Sequence, residues 1–144
     1  TKDALAKVAR LSLGLEDTLV YCTPQAFSDG LRRTLAFQPR VLKQSRGSSG
    51  EGVWVAKLRK GNYCDALGGR LCADHELLDL VEASDNHAEV HTVAEFVEFC
   101  TSGRTGRSGV WSSRGKGKYF EGGEAAGGRL VDQRFCPRIV EGEL

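Results

Sequence analysis

The feature that most constrains the fold of this chain is a pair of strand-like segments joined by a short glycine- and serine-rich stretch, VLKQSRGSSGEGVW, from Val41 to Trp54. One apolar run ends at Lys43, and a second begins at Val53. Two short runs of β-forming residues separated by turn residues are typical of neighbouring strands. The stretch between them is either a glycine-rich hairpin connection or a loop whose backbone N–H groups bind an anion beside the Lys43 ammonium.

Helical and strand-like patterns alternate along the rest of the chain. Pro24 suits the first position of a helix, and Thr92 followed by Glu95 matches a capping box. Residues 76–83 fit either a helix or a strand, and their short length and Val/Leu content favour a buried strand. These patterns predict one domain over residues 1–144 with an α+β fold. The predicted helices are 2–13, 24–37 and one beginning near 93, and the predicted strands are 18–22, 40–44, 52–58, 76–83 and 129–135.

Composition excludes several classes of protein. The 144 residues carry a net charge of +1 and are 40% hydrophobic, as expected of a globular domain without a strong preference for polyanions. No apolar run approaches the roughly 20 residues of a membrane span. The five cysteines form no C-x-x-C pair, so we expect reduced thiols in a cytoplasmic protein that has no membrane partner.

A glycine-rich segment from Gly103 to Gly128 has no helical or strand period and is predicted to be a long loop. Residues 104–120 are basic, with interleaved aromatic side chains, a composition also used to bind single-stranded nucleic acid. A lid that brings positive charge to a polyphosphate and a solvated loop without a role are the other two interpretations. The basic residues are Arg104, Arg107, Arg114, Lys116 and Lys118, and the aromatic residues are Trp111, Tyr119 and Phe120.

No motif identifies catalytic residues. His87 and His91 form H-x-x-x-H, but Glu89 is not placed as in the H-E-x-x-H zinc motif, so we interpret them as surface or structural histidines. No G-x-S-x-G motif or Cys/His pair indicates hydrolytic or thiol chemistry. A phosphate-handling site remains the most informative local hypothesis.

Three segments, in order along the chain, resemble the ATP-grasp superfamily. The segment RVLKQSRGSSGEGVWVAKL resembles its strand–lysine–glycine loop–strand unit, particularly in the glutathione synthetase-like branch and in uncharacterised bacterial and fungal members. The segment LVDQRFCPRIVEGEL is similar to the hinge of that branch, and TKDALAKV to the helix start that supplies an earlier nucleotide-binding lysine. The resemblance implies an ATP-grasp-like mixed sheet with packed helices, incomplete at both ends.

The same resemblance implies an ATP site. Lys2 and Lys43 would contact the phosphates, and Glu143 would occupy the acidic position near the ribose. The loop that closes over the phosphates would consist of Gly47, Ser48, Ser49, Gly50 and Gly52. The segment along the adenine would consist of Gln133, Arg134, Phe135 and Cys136.

The resemblance further implies an ATP-dependent ligase that joins a carboxylate to an amine or thiol through an acyl phosphate, with Mg²⁺ as cofactor. Gln44 and Cys136 replace the proline and leucine common in the family. The family's later strand with magnesium ligands has no counterpart in this sequence. We therefore expect an ATP-binding region that is catalytically incomplete and has an unknown carboxylate substrate. The alternative is a non-enzymatic module that binds single-stranded nucleic acid or protein through residues 104–120.

Overall fold

A computed structural model of the chain describes residues 18–46, 50–104 and 110–135. The predicted helix at 2–13 lies outside these ranges. Six of the predicted ATP-binding residues also lie outside them, namely Lys2, Gly47, Ser48, Ser49, Cys136 and Glu143.

A six-stranded sheet with the order β1-β6-β2-β3-β4-β5 forms the centre of the described structure. All five pairings among these strands are antiparallel, so the expected mixture of parallel and antiparallel pairs is not found in the described residues. One reason is that residues 45–52 join β2 to β3 and residues 83–87 join β4 to β5, and such short connections can link adjacent strands only when these are antiparallel. The strands are β1 Leu19–Tyr21, β2 Arg40–Gln44, β3 Val53–Leu58, β4 Leu77–Glu82, β5 Ala88–Thr92 and β6 Leu130–Arg134.

Both helices within the described ranges begin where the sequence predicts. Helix α1, Pro24–Phe37, has Thr23 as its N-cap and proline in its first turn. Helix α2, Val93–Ser102, begins with the predicted capping box, in which Thr92 and Glu95 satisfy each other's backbone N–H groups. No helix in residues 18–46, 50–104 or 110–135 is long and apolar enough to cross a membrane.

The two helices pack on one face of the sheet, which we call the covered face. Trp54 lies fully buried at its centre and makes edge-to-face contacts with Phe96 and Phe99 of α2. Asp132 and Arg40 form an ion pair with fully buried side chains and an Nε–Oδ1 distance of 2.6 Å. The other oxygen of Asp132 accepts hydrogen bonds from Tyr21 and from Thr34 of α1. This buried polar group thus joins β1, β6, β2 and α1.

Strand β5 is absent from the sequence-based prediction because its polar side chains face the core and its apolar side chains face solvent. Glu89 and His91 face the covered side and are buried, whereas Ala88 and Val90 are exposed. An alternation of this kind does not match the apolar-in, polar-out pattern by which strands are recognised.

The described part of the glycine-rich segment packs against the core. Its described part contains one 3₁₀ helix, Glu124–Ala126. Trp111, Tyr119 and Phe120 are buried, and the Tyr119 hydroxyl accepts a hydrogen bond of 2.8 Å from Trp54 Nε1. The large aromatic surface that these three residues bury accounts for this packing, and the rest of the described part has neither helix nor strand before β6.

Candidate functional site

The face of the sheet opposite the two helices carries a groove of about 650 Å³. We call this side the open face, because both described helices pack on the other side. A groove of this size lies in the range of small-molecule sites. Its lining includes Val41, Val53, Val55, Val81, Lys43 and Phe135.

The floor of the groove is a row of valines that crosses three strands. In the register of the sheet, Val41 of β2 lies beside Val55 of β3, which in turn lies beside Val81 of β4. Successive residues of a strand point to opposite faces, so the neighbours Trp54 and Val55 place apolar side chains on both faces of β3. Strands that are apolar on both faces are typical of sheets that are covered on both sides. The open face is therefore suited to an apolar occupant.

Lys43 and Phe135 line this groove at opposite ends of β2. The Phe135 N–H donates to the carbonyl of Pro39, just before β2, at 3.0 Å. Lys43 lies four residues further along the strand, which corresponds to roughly 13 Å at the usual rise per residue. The groove therefore has an aromatic ring at one end and an ammonium group at the other.

The Phe135 end of the groove carries balanced charge. Lys57 Nζ lies 4.7 Å from the centre of the Phe135 ring, close enough for a cation–π contact. Asp79 lies directly beside Lys57 in the sheet and also pairs with Arg59 at 3.3 Å. At the other end of the groove, Lys43 lies beside Val53 of β3 and Val131 of β6 in the register of the sheet. Lys43 is therefore the cation that lines this end of the groove.

Gln133 ends the valine row on the side of β6, because it lies directly beside Val41. Its side chain is only 2% exposed, and its Nε2 has no hydrogen-bond acceptor among the described residues. A buried amide without a partner costs free energy, which an acceptor atom on a bound ligand would offset. Arg134 alternates to the other face and is exposed, so it does not share this environment.

The described end of the glycine loop closes the hairpin. The Gly52 N–H donates to Glu82 Oε2 at 3.0 Å, and the Gly50 carbonyl accepts from the Val53 N–H at 3.1 Å. The φ angles of Gly50 and Gly52 are 81° and 72°, in the left-handed region that favours glycine. A phosphate at the Gly52 amide would have to displace the Glu82 carboxylate.

A buried acid–histidine cluster, which sequence reasoning did not identify, lies on the covered face near the end of β4 and in β5. Each carboxylate oxygen of Glu89 takes part in two hydrogen bonds of 2.8–3.0 Å. The partners are the rings of His87 and His91 and the backbone N–H groups of Ser112 and Ser113. Glu82 accepts from the Ser113 hydroxyl at 2.7 Å. The signal that could have indicated this cluster is the spacing of four residues: Glu82 at the end of β4, His87 just before β5, and Glu89 and His91 in β5.

The electrostatics of this cluster favour its charged form. Burial alone would raise the pKa of Glu89, but the hydrogen bonds from His91, Ser112 and His87 lower it overall. Burial also opposes charging of His87, yet its hydrogen bonds to Asp85 and Glu89 raise its pKa above the ordinary value. The oxygens of Glu89 are fully engaged, so we interpret the cluster as the attachment of residues 111–115 to the sheet.

The three aromatic side chains of residues 104–120 are not placed for base stacking. Trp111, Tyr119 and Phe120 are each at most 7% exposed, and Trp111 is stacked between Phe99 and His91. Stacking with single-stranded nucleic acid requires accessible ring faces. The described part of the segment therefore presents its cations to solvent and its aromatic rings to the core.

Within the described ranges, no group of three or more His, Cys, Asp or Glu side chains could hold a metal ion. Comparisons of the chain with protein-family models, with curated proteins and with solved structures gave no match.

Proposed function

We propose that this chain is the nucleotide-binding region of an ATP-grasp-like protein and that ATP binds in the groove of the open face. The observation that carries the proposal is that Lys43 and Phe135, from two distant segments with the family resemblance, line one groove. In this arrangement the base lies on the valine row near Phe135, and the phosphates lie at Lys43.

Each described residue has a physical role in this arrangement. The valine row and the Phe135 ring exclude water from the faces of the base. The Lys43 ammonium neutralises phosphate charge through charge-assisted hydrogen bonds. ATP, when bound, would supply the phosphoryl group that activates a carboxylate as an acyl phosphate.

The proposed reaction class is the ligation of a carboxylate to an amine or thiol, with the acceptor substrate left open. Mg²⁺ binds proteins largely through substrate phosphates and one or two carboxylates, so it would accompany the nucleotide. No step of the proposal depends on a metal ligand from the described residues. The substitution experiment below addresses nucleotide binding alone.

The test is calorimetric titration of the chain with magnesium-ATP, comparing the wild type with Lys43→Gln. Loss of a charge-assisted hydrogen bond costs roughly 1.5–3 kcal/mol, so we expect affinity to fall about ten- to hundredfold. Lys60→Gln is the matched control, because this exposed lysine lies in the turn after β3. Absence of ATP binding to the wild type, or equal affinity of the wild type and Lys43→Gln, would contradict the proposal.

A second substitution separates the base from the phosphates. Phe135→Ala should weaken ATP but leave the affinity for inorganic triphosphate unchanged, because only ATP carries a base. Equal losses for both ligands would place the base elsewhere.

A further inference from the structure

We infer that this chain has a second binding site, for a small ligand with two or more phosphate groups, formed by the basic residues of the glycine-rich segment. The site lies at the loop end of the covered face. Gln44 and Arg46 border it from β2 and the turn that follows, whereas Lys43 points to the open face. It is therefore a different site from the proposed ATP groove.

The cations of this site converge on two adjoining grooves. Arg114, Lys116 and Lys118 line both grooves, which measure about 260 and 310 Å³. Arg104 completes the first groove and Arg46 the second. All five side chains are exposed, and none of them forms an ion pair with a described residue. These five cations outnumber the two carboxylates, Glu51 and Glu121, that also line the second groove, so a polyanion would meet a net positive charge.

The backbone that carries these cations is held in place by the core. The N–H groups of Lys118 and Tyr119 donate to the carbonyls of Phe99 and Cys100 at the end of α2, at 3.0 and 2.8 Å. A side chain at Gly117 would place its Cβ 2.2 Å from the Phe99 carbonyl oxygen, so the segment approaches the helix too closely for any other residue. A ligand therefore meets cations on a preorganised backbone, which reduces the ordering cost of binding.

A hydrogen bond and a backbone conformation also define how these cations are arranged. Arg104 Nη2 donates to the Gly115 carbonyl at 3.1 Å, so this guanidinium is held beside Arg114 and Lys116. Lys118 has a φ of 53°, in the left-handed region where glycine and asparagine are the favoured residues.

The geometry favours a compact anion over a nucleic acid strand. Each groove is close to the lower limit for a small-molecule site and too small for several nucleotides. Glu51 and Glu121 border the second groove and would repel a strand that continues past it. The neighbouring aromatic rings are buried and offer no stacking surface. Together these observations limit the ligand to a few adjacent phosphate groups.

Titration calorimetry of the chain with inorganic triphosphate tests this inference. The double variant Arg114→Gln/Lys116→Gln should bind triphosphate at least about tenfold more weakly than the wild type, since two charge-assisted contacts are lost. The comparison is made in a Lys43→Gln background, so that the proposed ATP groove does not contribute. Equal affinity of Lys43→Gln and the triple variant would overturn the inference.

Titration with oligothymidylates of increasing length tests the alternative that the site binds a nucleic acid strand. Affinity that rises with strand length and exceeds the affinity for triphosphate would replace the compact ligand with nucleic acid. Weak binding that is independent of length supports the compact ligand. ATP binding that depends on Lys43 but not on Arg114 and Lys116 would leave the proposed function standing, so the two ideas can fail separately.

Lys118→Asn separates a binding role from a structural one. Asparagine tolerates the left-handed conformation, so we expect the melting temperature to be unchanged or higher while triphosphate affinity falls severalfold. Unchanged affinity together with a lower melting temperature would show that Lys118 only packs against the helix end, and would count against the inference.

Discussion

The two faces of one sheet are built from the same strands but have opposite characters. On the covered face, Trp54 is fully buried by two helices and by the glycine-rich segment, and the charged groups Arg40 and Asp132 are buried together. On the open face, valines form a continuous row, and the charged groups Lys57 and Asp79 are exposed. The covered face thus carries most of the structural interactions. On the open face, Val41 is only 5% exposed, whereas Val55 and Val81 are half-buried and Lys57 and Asp79 are exposed.

This difference indicates where stability and binding are located. Apolar side chains that solvent can reach contribute little to folding, and their free energy remains available to a ligand. Substitutions on the covered face should therefore change the free energy of unfolding, and substitutions on the open face should mainly change affinity. The following predictions test that division, beginning with the largest effect.

Adjacent residues of β3 give the most direct comparison. Trp54→Ala should lower the free energy of unfolding by about 3–5 kcal/mol, because it leaves a large cavity among aromatic rings. Val55→Ala should lower it by about 1 kcal/mol, because Val55 is only half-buried. Urea denaturation monitored by far-UV circular dichroism measures both values. Similar losses for the two variants would show that the open face is also part of the core.

Two aspartates provide a comparison of charge. Burial raises the pKa of Asp132 despite its pairing with Arg40. Asp132→Asn leaves the buried Arg40 uncompensated and should cost about 3 kcal/mol of stability. Asp79→Asn removes an exposed ion pair with Arg59 and should cost less than about 1 kcal/mol. Thermal unfolding of both variants checks the ratio, and a large loss for Asp79→Asn would contradict the division between the faces.

The pH dependence should arise mainly from the covered face. The folded-state pKa of His87 is raised, so its contribution to stability is fully present below its unfolded pKa of about 6.5. That contribution is lost as the pH rises through the folded-state pKa. We therefore expect stability to decrease as the pH rises above about 6.5, and His87→Gln to reduce this slope in urea titrations at each pH. An unchanged slope would remove His87 from the explanation.

The smallest expected effect is on the open face. Lys57→Met removes the cation–π contact with Phe135 and should cost about 0.5–1 kcal/mol, because the lysine is exposed. Chemical denaturation of Lys57→Met and of the control Lys60→Met checks the difference. A loss of several kcal/mol would mean that this contact holds the end of β6 in place.

Much of the local structure could be predicted from the sequence because its signals lie within a few residues of one another. Thr92 and Glu95 satisfy both ends of a capping box without help from the rest of the chain. The strands on either side of the glycine loop have high β-propensity and only a short connection, so they pair as a hairpin. The strand at 76–83 was also predicted correctly.

Other features could not be predicted because they depend on partners far along the chain. Strand β5 is stable with Glu89 buried only because His87, His91 and the N–H groups of Ser112 and Ser113 satisfy its carboxylate. In the same way, the composition of the glycine-rich segment does not reveal that its described part packs against the core through the hydrogen bond between Tyr119 and Trp54.

The sequence by itself determined the two described helices and the strands around Lys43 and at 76–83, because propensity, capping and alternation act locally. Only the tertiary structure decided that β6 lies beside β2, which places Phe135 and Lys43 in one groove, and that the basic residues converge near the end of α2. Both arrangements follow from long-range strand pairing and core packing, which no local pattern encodes.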